Sequence, residues 1–132
     1  YSGHPVCATA ALVNLQIIED EKLVERVRDD IGPYFAKALQ TLADHDMVGD
    51  IQSVGLMGAV QLASDKKTRQ RFEKPDDVGT LVRNKCTEMG LIMRATGDRM
   101  LASPPLIITH EEVDFMTATL RKALDAAWKE LK

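Results

Sequence analysis

The stretch from His4 to about Asp20 constrains this chain more than any other. Pro5 stands well at a first helical position, where its missing N–H costs nothing. Val6, Cys7, Ala8, Ala10, Ala11, Leu12, Val13, Leu15, Ile17 and Ile18 follow. At helical spacing these apolar residues cover nearly every face. Such a helix needs burial all round. Ala8, Ala10 and Ala11 would let another backbone approach closely. A chain of 132 residues has trouble enclosing one terminal helix completely. The expectation is a partner surface outside this chain.

The rest has the balance of a folded domain. Hydrophobic residues make up 45% and charged residues 28%, which excludes intrinsic disorder. Seventeen Lys and Arg against 20 Asp and Glu leave a net charge of -3. That is too mild and too mixed for a nucleic-acid surface or a polybasic membrane patch. No apolar run approaches the ~18 residues of a spanning helix. Cys7 and Cys86 are too few for a disulfide scaffold and read as reduced, buried thiols. The start YSGHPV has no basic n-region, so a cytoplasmic setting is expected. It also has no Met and opens in mid-motif, as a processed chain or a piece of a longer one would.

Periodicity predicts the remaining elements. Lys22 to about Asp44 repeats Val24, Val27, Ile31, Phe35, Ala38 and Leu42 at helical steps, with a kink or two abutting helices at Gly32-Pro33. Asp50 to Ser64 reads as one long strand, or two joined by a bulge. Asp65 to Lys74 reads as an exposed charged loop. Asp76 to Met89 is helical, with Val78, Leu81, Val82, Cys86 and Met89 as its stripe and Gly90 as its stop. Leu91 to Ala95 and Met100 to Ala102 read as strands around Thr96-Gly97-Asp98-Arg99. Thr109 and Glu112 form a capping box for a last helix lined by Val113, Met116, Leu120, Ala123, Ala127 and Leu131, with Trp128 anchoring its end. The expected class is α+β: a small, mainly antiparallel sheet packed against several helices.

Catalytic motifs are scarce. His4, His45 and His110 lie far apart, and structural or solvated roles are expected for His45 and His110. Gly55 and Gly58 read as a bulge or a close backbone approach. Arg94 stands apart, on an apolar strand ending before a turn. A guanidinium buried there must be paired. Two readings stay open: a structural ion pair, or capture of a substrate carboxylate by a planar two-pronged donor. Arg99, on the turn, reads as solvated.

Three stretches carry a resemblance. They are Tyr1-Ser2-Gly3-His4-Pro5 with its small-residue helix, Gly55-Leu56-Met57-Gly58-Ala59-Val60, and Gly90 through Asp98 followed by Ser103-Pro104-Pro105-Leu106. In that order and spacing the chain resembles the C-terminal part of a class III aminotransferase, and within the class the omega-amine:pyruvate branch. The resemblance implies a fold-type I, pyridoxal 5'-phosphate-dependent enzyme that works as a homodimer on small-molecule amines and 2-oxo acids. Residues 1–20 would lead in from a large cofactor-binding domain, and residues 21–132 would be the C-terminal small domain.

The same resemblance implies that the lysine bonding the cofactor, and the acid facing its pyridine nitrogen, lie upstream. The fragment alone would be inactive and would bind no cofactor. Tyr1 and Ser2 would lie near the cofactor phosphate. His4 stands where many class members carry Asn. Arg94 matches the arginine that takes the substrate carboxylate and, in the omega branch, swings away for an uncharged group. The implied reaction moves an amino group from an amine or omega-amino acid to a 2-oxo acid such as pyruvate. The alternatives are a non-transaminase relative of the fold, a decarboxylase or aminomutase, and a non-catalytic α+β dimerisation or binding module.

Overall fold

The computed structural model describes residues 3–132. Helix α1 (Pro5–Asp20) has Pro5 in its first turn, as its sequence predicts. It contributes no buried residue: Val6 is 70% and Leu12 68% exposed. The surface that such a helix needs is not supplied by this chain. Cys7 is therefore exposed, against the expectation of two buried thiols, while Cys86 is buried.

After α1 the chain turns at Lys22, which takes a left-handed φ of 51°. A longer helical stretch follows: α2 (Leu23–Arg26), a π-helical turn at Val27–Ile31, and α3 (Gly32–Gln40). The kink expected at Gly32-Pro33 takes the form of that wide turn. Pro33 has no N–H to give and its ring crowds the preceding turn. The Gly32 amide instead donates to the Val27 carbonyl five residues back. A Cβ on Gly32 would lie 2.3 Å from that carbonyl oxygen, so only glycine fits without displacement. Ile31, Phe35, Leu39 and Leu42 are buried, whereas Val24 stays exposed.

The segment from Asp50 to Ser64 is neither one strand nor a bulged pair. It holds most of a hairpin, β1 (Val48–Val54) and β2 (Met57–Leu62), closed by Gly55-Leu56. Gly55 has φ +55°, which a tight turn needs and glycine adopts freely. An irregularity in register does occur, between Val48 and Asp50. Residues 65–74 form the expected loop, in which the Asp65 carboxylate accepts the Lys67 and Thr68 amides. Next come α4 (Pro75–Glu88), β3 (Arg94–Thr96), β4 (Arg99–Ala102) and α5 (His110–Leu131). Strand β3 is shorter than its sequence predicts, because residues 91–93 stay outside it.

All strand pairs are antiparallel, in the order β1-β2-β4-β3. Directly paired residues share a face. Val60 and Met100 point into the core, and Gly58 lies so close to α3 that a Cβ there would meet Leu39 Cδ1 at 2.5 Å. The opposite face carries two cross-strand rows. One runs Arg94, Leu101, Ala59, Gln52, and the next runs Thr96, Arg99, Gln61, Asp50. Helices α3, α4 and α5 cover the core face through Phe35, Leu39, Val82, Cys86, Leu120 and Leu124. The capping box at Thr109 and Glu112 is present at the start of α5. Leu131 is exposed and Trp128 only partly buried, so the inner stripe of α5 ends at Ala127. The class is α+β, as expected. Among the described residues, no helix is long and apolar enough to cross a membrane.

Candidate active site

Arg94 is the first residue of β3, the edge strand of the sheet. Strand alternation sends neighbouring side chains to opposite sides. Met93 is buried, and Arg94 points out beside Leu101. This corrects the picture of a buried guanidinium that must be paired. Arg94 is exposed, and its guanidinium makes no hydrogen bond or ion pair among the described residues. The edge position gives it water in place of an internal acid.

Arg94 stands on the wall of a cleft of about 720 Å³. Small-molecule sites have volumes of this order. Leu91, Ile92, Leu101, Pro104, Phe115 and Met116 supply apolar lining. Glu112 also lines it, but one of its carboxylate oxygens accepts the Thr109 amide at 2.8 Å and is spent on the helix cap. Such a cleft can grip a carboxylate with the Arg94 fork and lay an apolar group along the opposite wall.

The hairpin that carries Arg94 is tied down at its turn. Gly97 has φ +59°, suited to a two-residue hairpin loop with Asp98. Asp98 is fully buried. Its carboxylate accepts Arg71 Nε and Nη2, each at 2.9 Å, and Gln61 Nε2 at 2.7 Å. Burial pushes the Asp98 carboxyl up, but these bonds and the Arg71 charge outweigh it and hold it below the ordinary carboxylate range. Arg99 donates to Gln61 Oε1 at 2.7 Å. It is exposed but tethered, rather than simply solvated. Sequence reasoning missed the Asp98–Arg71 pair, because an acid in a tight turn is ordinary and nothing local points to a loop 27 positions away.

The remaining candidates divide cleanly. His45 is buried and structural: its Nδ1 accepts the Met47 amide at 3.0 Å. His110 packs edge-on against Tyr34 and reaches Asp30 at 3.0 Å. Cys86 is pushed up to about 11 by burial and stays a thiol. No group of His, Cys, Asp or Glu among the described residues could hold a metal. Tyr1 and Ser2 lie outside the described residues.

The family model for Aminotransferase class-III matches residues 1–124. The chain belongs to this family. The class III aminotransferase chain is 47% identical over 125 residues to a putrescine–pyruvate aminotransferase of Pseudomonas aeruginosa, covering 95% of this chain and 27% of that protein. It is 33% identical over 132 residues to a mitochondrial gamma-aminobutyrate transaminase of Solanum lycopersicum, covering all of this chain and 25% of that protein. A solved transaminase studied with L-alanine superposes with a TM-score of 0.92 at 40% identity, over 98% of this chain and 30% of that one. The omega transaminase of Pseudomonas jessenii in complex with PMP superposes at 0.90 with 36% identity, over 96% and 28%. The chain thus spans between a quarter and a third of the lengths of these relatives.

Class III aminotransferases depend on pyridoxal phosphate, and the structural neighbours are transaminases of fold type I. Among the described residues, the start of α1 holds nothing that would repel an anionic group. Its first turn carries no acid and no side-chain cap, and Gly3 leaves open space beside it.

Proposed function

We propose that this chain is the C-terminal small domain, with its lead-in helix, of a transaminase that moves an amino group from an amine or omega-amino acid to a 2-oxo acid such as pyruvate. The parent would work as a homodimer in the cytoplasm. The observation that carries the reading is the Arg94 guanidinium, without a partner among the described residues, on a mostly apolar cleft wall. The names of the putrescine–pyruvate and gamma-aminobutyrate relatives support the choice of substrates.

Pyridoxal phosphate, when bound, supplies the electron sink for breaking bonds at the amino-bearing carbon. Tyr1, Ser2 and the leading amides of α1 would approach its phosphate. The lysine that bonds the cofactor would come from outside this chain. Arg94 holds and orients the acceptor carboxylate. Leu101, Phe115 and Ile92 offer an apolar surface that sheds water around a donor. A donor without a carboxylate gains nothing from the guanidinium, so with such a donor Arg94 favours the acceptor half-reaction.

The test uses the full-length protein in separated half-reactions. Arg94→Ala should slow the pyruvate half about 10- to 100-fold, matching a lost charge-assisted contact of ~1.5–3 kcal/mol. The half-reaction with an uncharged amine should change less than about threefold. Equal damage to both halves overturns the assignment of Arg94. Turnover by the 132-residue chain with added pyridoxal phosphate overturns the fragment reading.

A further inference from the structure

We infer that the ion pair between buried Asp98 and exposed Arg71 is a positioning device for Arg94, and so helps set how well the site takes a carboxylate acceptor. The inference rests on the carboxylate role of Arg94 proposed above. Strand β3 has only 3 residues and lies at the sheet edge, paired with β4 alone. Residues 91–93 before it belong to no strand. So short an edge strand is weakly held by its own ladder. Buried Met93 anchors its start, and the turn anchors its far end.

That turn is fixed from three directions. The Asp98 carbonyl accepts the Leu62 amide at 2.8 Å, which ties the turn to the end of β2. The Asp98 carboxylate takes both prongs of Arg71 from the 65–74 loop and the amide of Gln61 from β2. Helix α4 closes the third side, with Gly79 so near that a Cβ there would lie 1.9 Å from the Gly97 carbonyl oxygen. The pair is asymmetric. The Asp98 side chain is fully buried and that of Arg71 is 61% exposed. A buried carboxylate left without its partner is costly, so the pair adds its own hold on the turn to those of Leu62 and α4. The row holding Arg99 and Gln61 is next to the row holding Arg94 on the same sheet face. A tilt of the turn is therefore passed directly to Arg94. A misplacement of about 1 Å at a two-pronged contact costs up to ~100-fold.

Asp98 and Arg71 act through Arg94 and lie away from the substrate. The test is steady-state kinetics on the full-length enzyme with pyruvate and an uncharged amine varied separately. Asp98→Asn keeps the shape and removes the charge. It should raise the KM for pyruvate about tenfold and leave the KM for the amine within about twofold. Arg71→Lys keeps the charge and loses the fork, so its pyruvate KM should fall between wild type and Asp98→Asn. In an Arg94→Ala background, Asp98→Asn should add nothing to the pyruvate KM. The inference is overturned if both KM values rise together, if neither moves in a folded variant, or if the effect persists without Arg94. Should Asp98→Asn fail to fold, Arg71→Lys alone and over Arg94→Ala gives the same decision. If Arg94 has no carboxylate role, Arg94→Ala itself shows no split between the substrates.

Discussion

His45 shows how much one side chain can carry without being legible. Its Nδ1 accepts the Met47 amide, so in the neutral ring the proton sits on Nε2, which faces Asp125 Oδ1 at 3.3 Å. Arg121, Asp46 and Lys66 are also nearby. Burial pushes the imidazole down and outweighs the pull of Asp125. The folded state therefore binds this proton less readily than the unfolded chain. Its stabilising contribution is complete above the ordinary value of ~6.5 and is lost as pH falls through the depressed one. His45→Asn keeps an acceptor for the Met47 amide and removes the titration. Urea midpoints measured from pH 7 down to pH 5 should fall less steeply in that variant than in wild type. In the sequence His45 was one of three scattered histidines, legible as structural and no further. Arg94 was found because a charge stood in an apolar run. Its freedom from pairing was hidden, because an edge strand and a central strand read alike. Asp98 stayed invisible because its partner is distant in sequence.

At the scale of elements, patterns with a local cause were readable. The capping box starts α5 where its hydrogen bonds require, and Gly90 follows α4 with φ +83°. The β1–β2 turn was missed because Leu56 is buried and makes Gly55-Leu56 look like strand interior. Gly32-Pro33 predicts the kink but not its π-helical form, which depends on Gly32 accommodating the Val27 carbonyl. The meeting of α4 with the β3–β4 hairpin was not legible at all, since it joins Gly79 to Gly97 across space. Gly79→Ala tests that contact. The added methyl meets backbone, which cannot rotate away, so the hairpin or the helix must retreat. A loss of about 1–3 kcal/mol is expected, read as a lower denaturant midpoint. A change below ~0.5 kcal/mol would show that the two elements part easily.

For the molecule as a whole, α1 decides what kind of object this is. Its Val6, Leu12 and Leu15 side chains are all more than half exposed here. If the parent protein covers them, as its sequence demands, they behave as core residues there. Leu12→Lys with Leu15→Lys in the full-length protein should then lower the thermal midpoint strongly, because charge would enter a dry interface. A shift of under about 2 °C would mean that the helix stays bare. At this scale the sequence shows only that the helix is apolar on nearly every face, because what would cover it is not written in these residues.

Lys22 gives that helix a further significance. Helix α1 has 16 residues and so is about 24 Å long at ~1.5 Å per residue. Its junction with the rest passes through a single non-glycine residue in a left-handed turn. A swivel of roughly 10° there would sweep the far end through about 4 Å. A rotation at Lys22 would therefore move α1 as a lever against the sheet, its first turn travelling farthest.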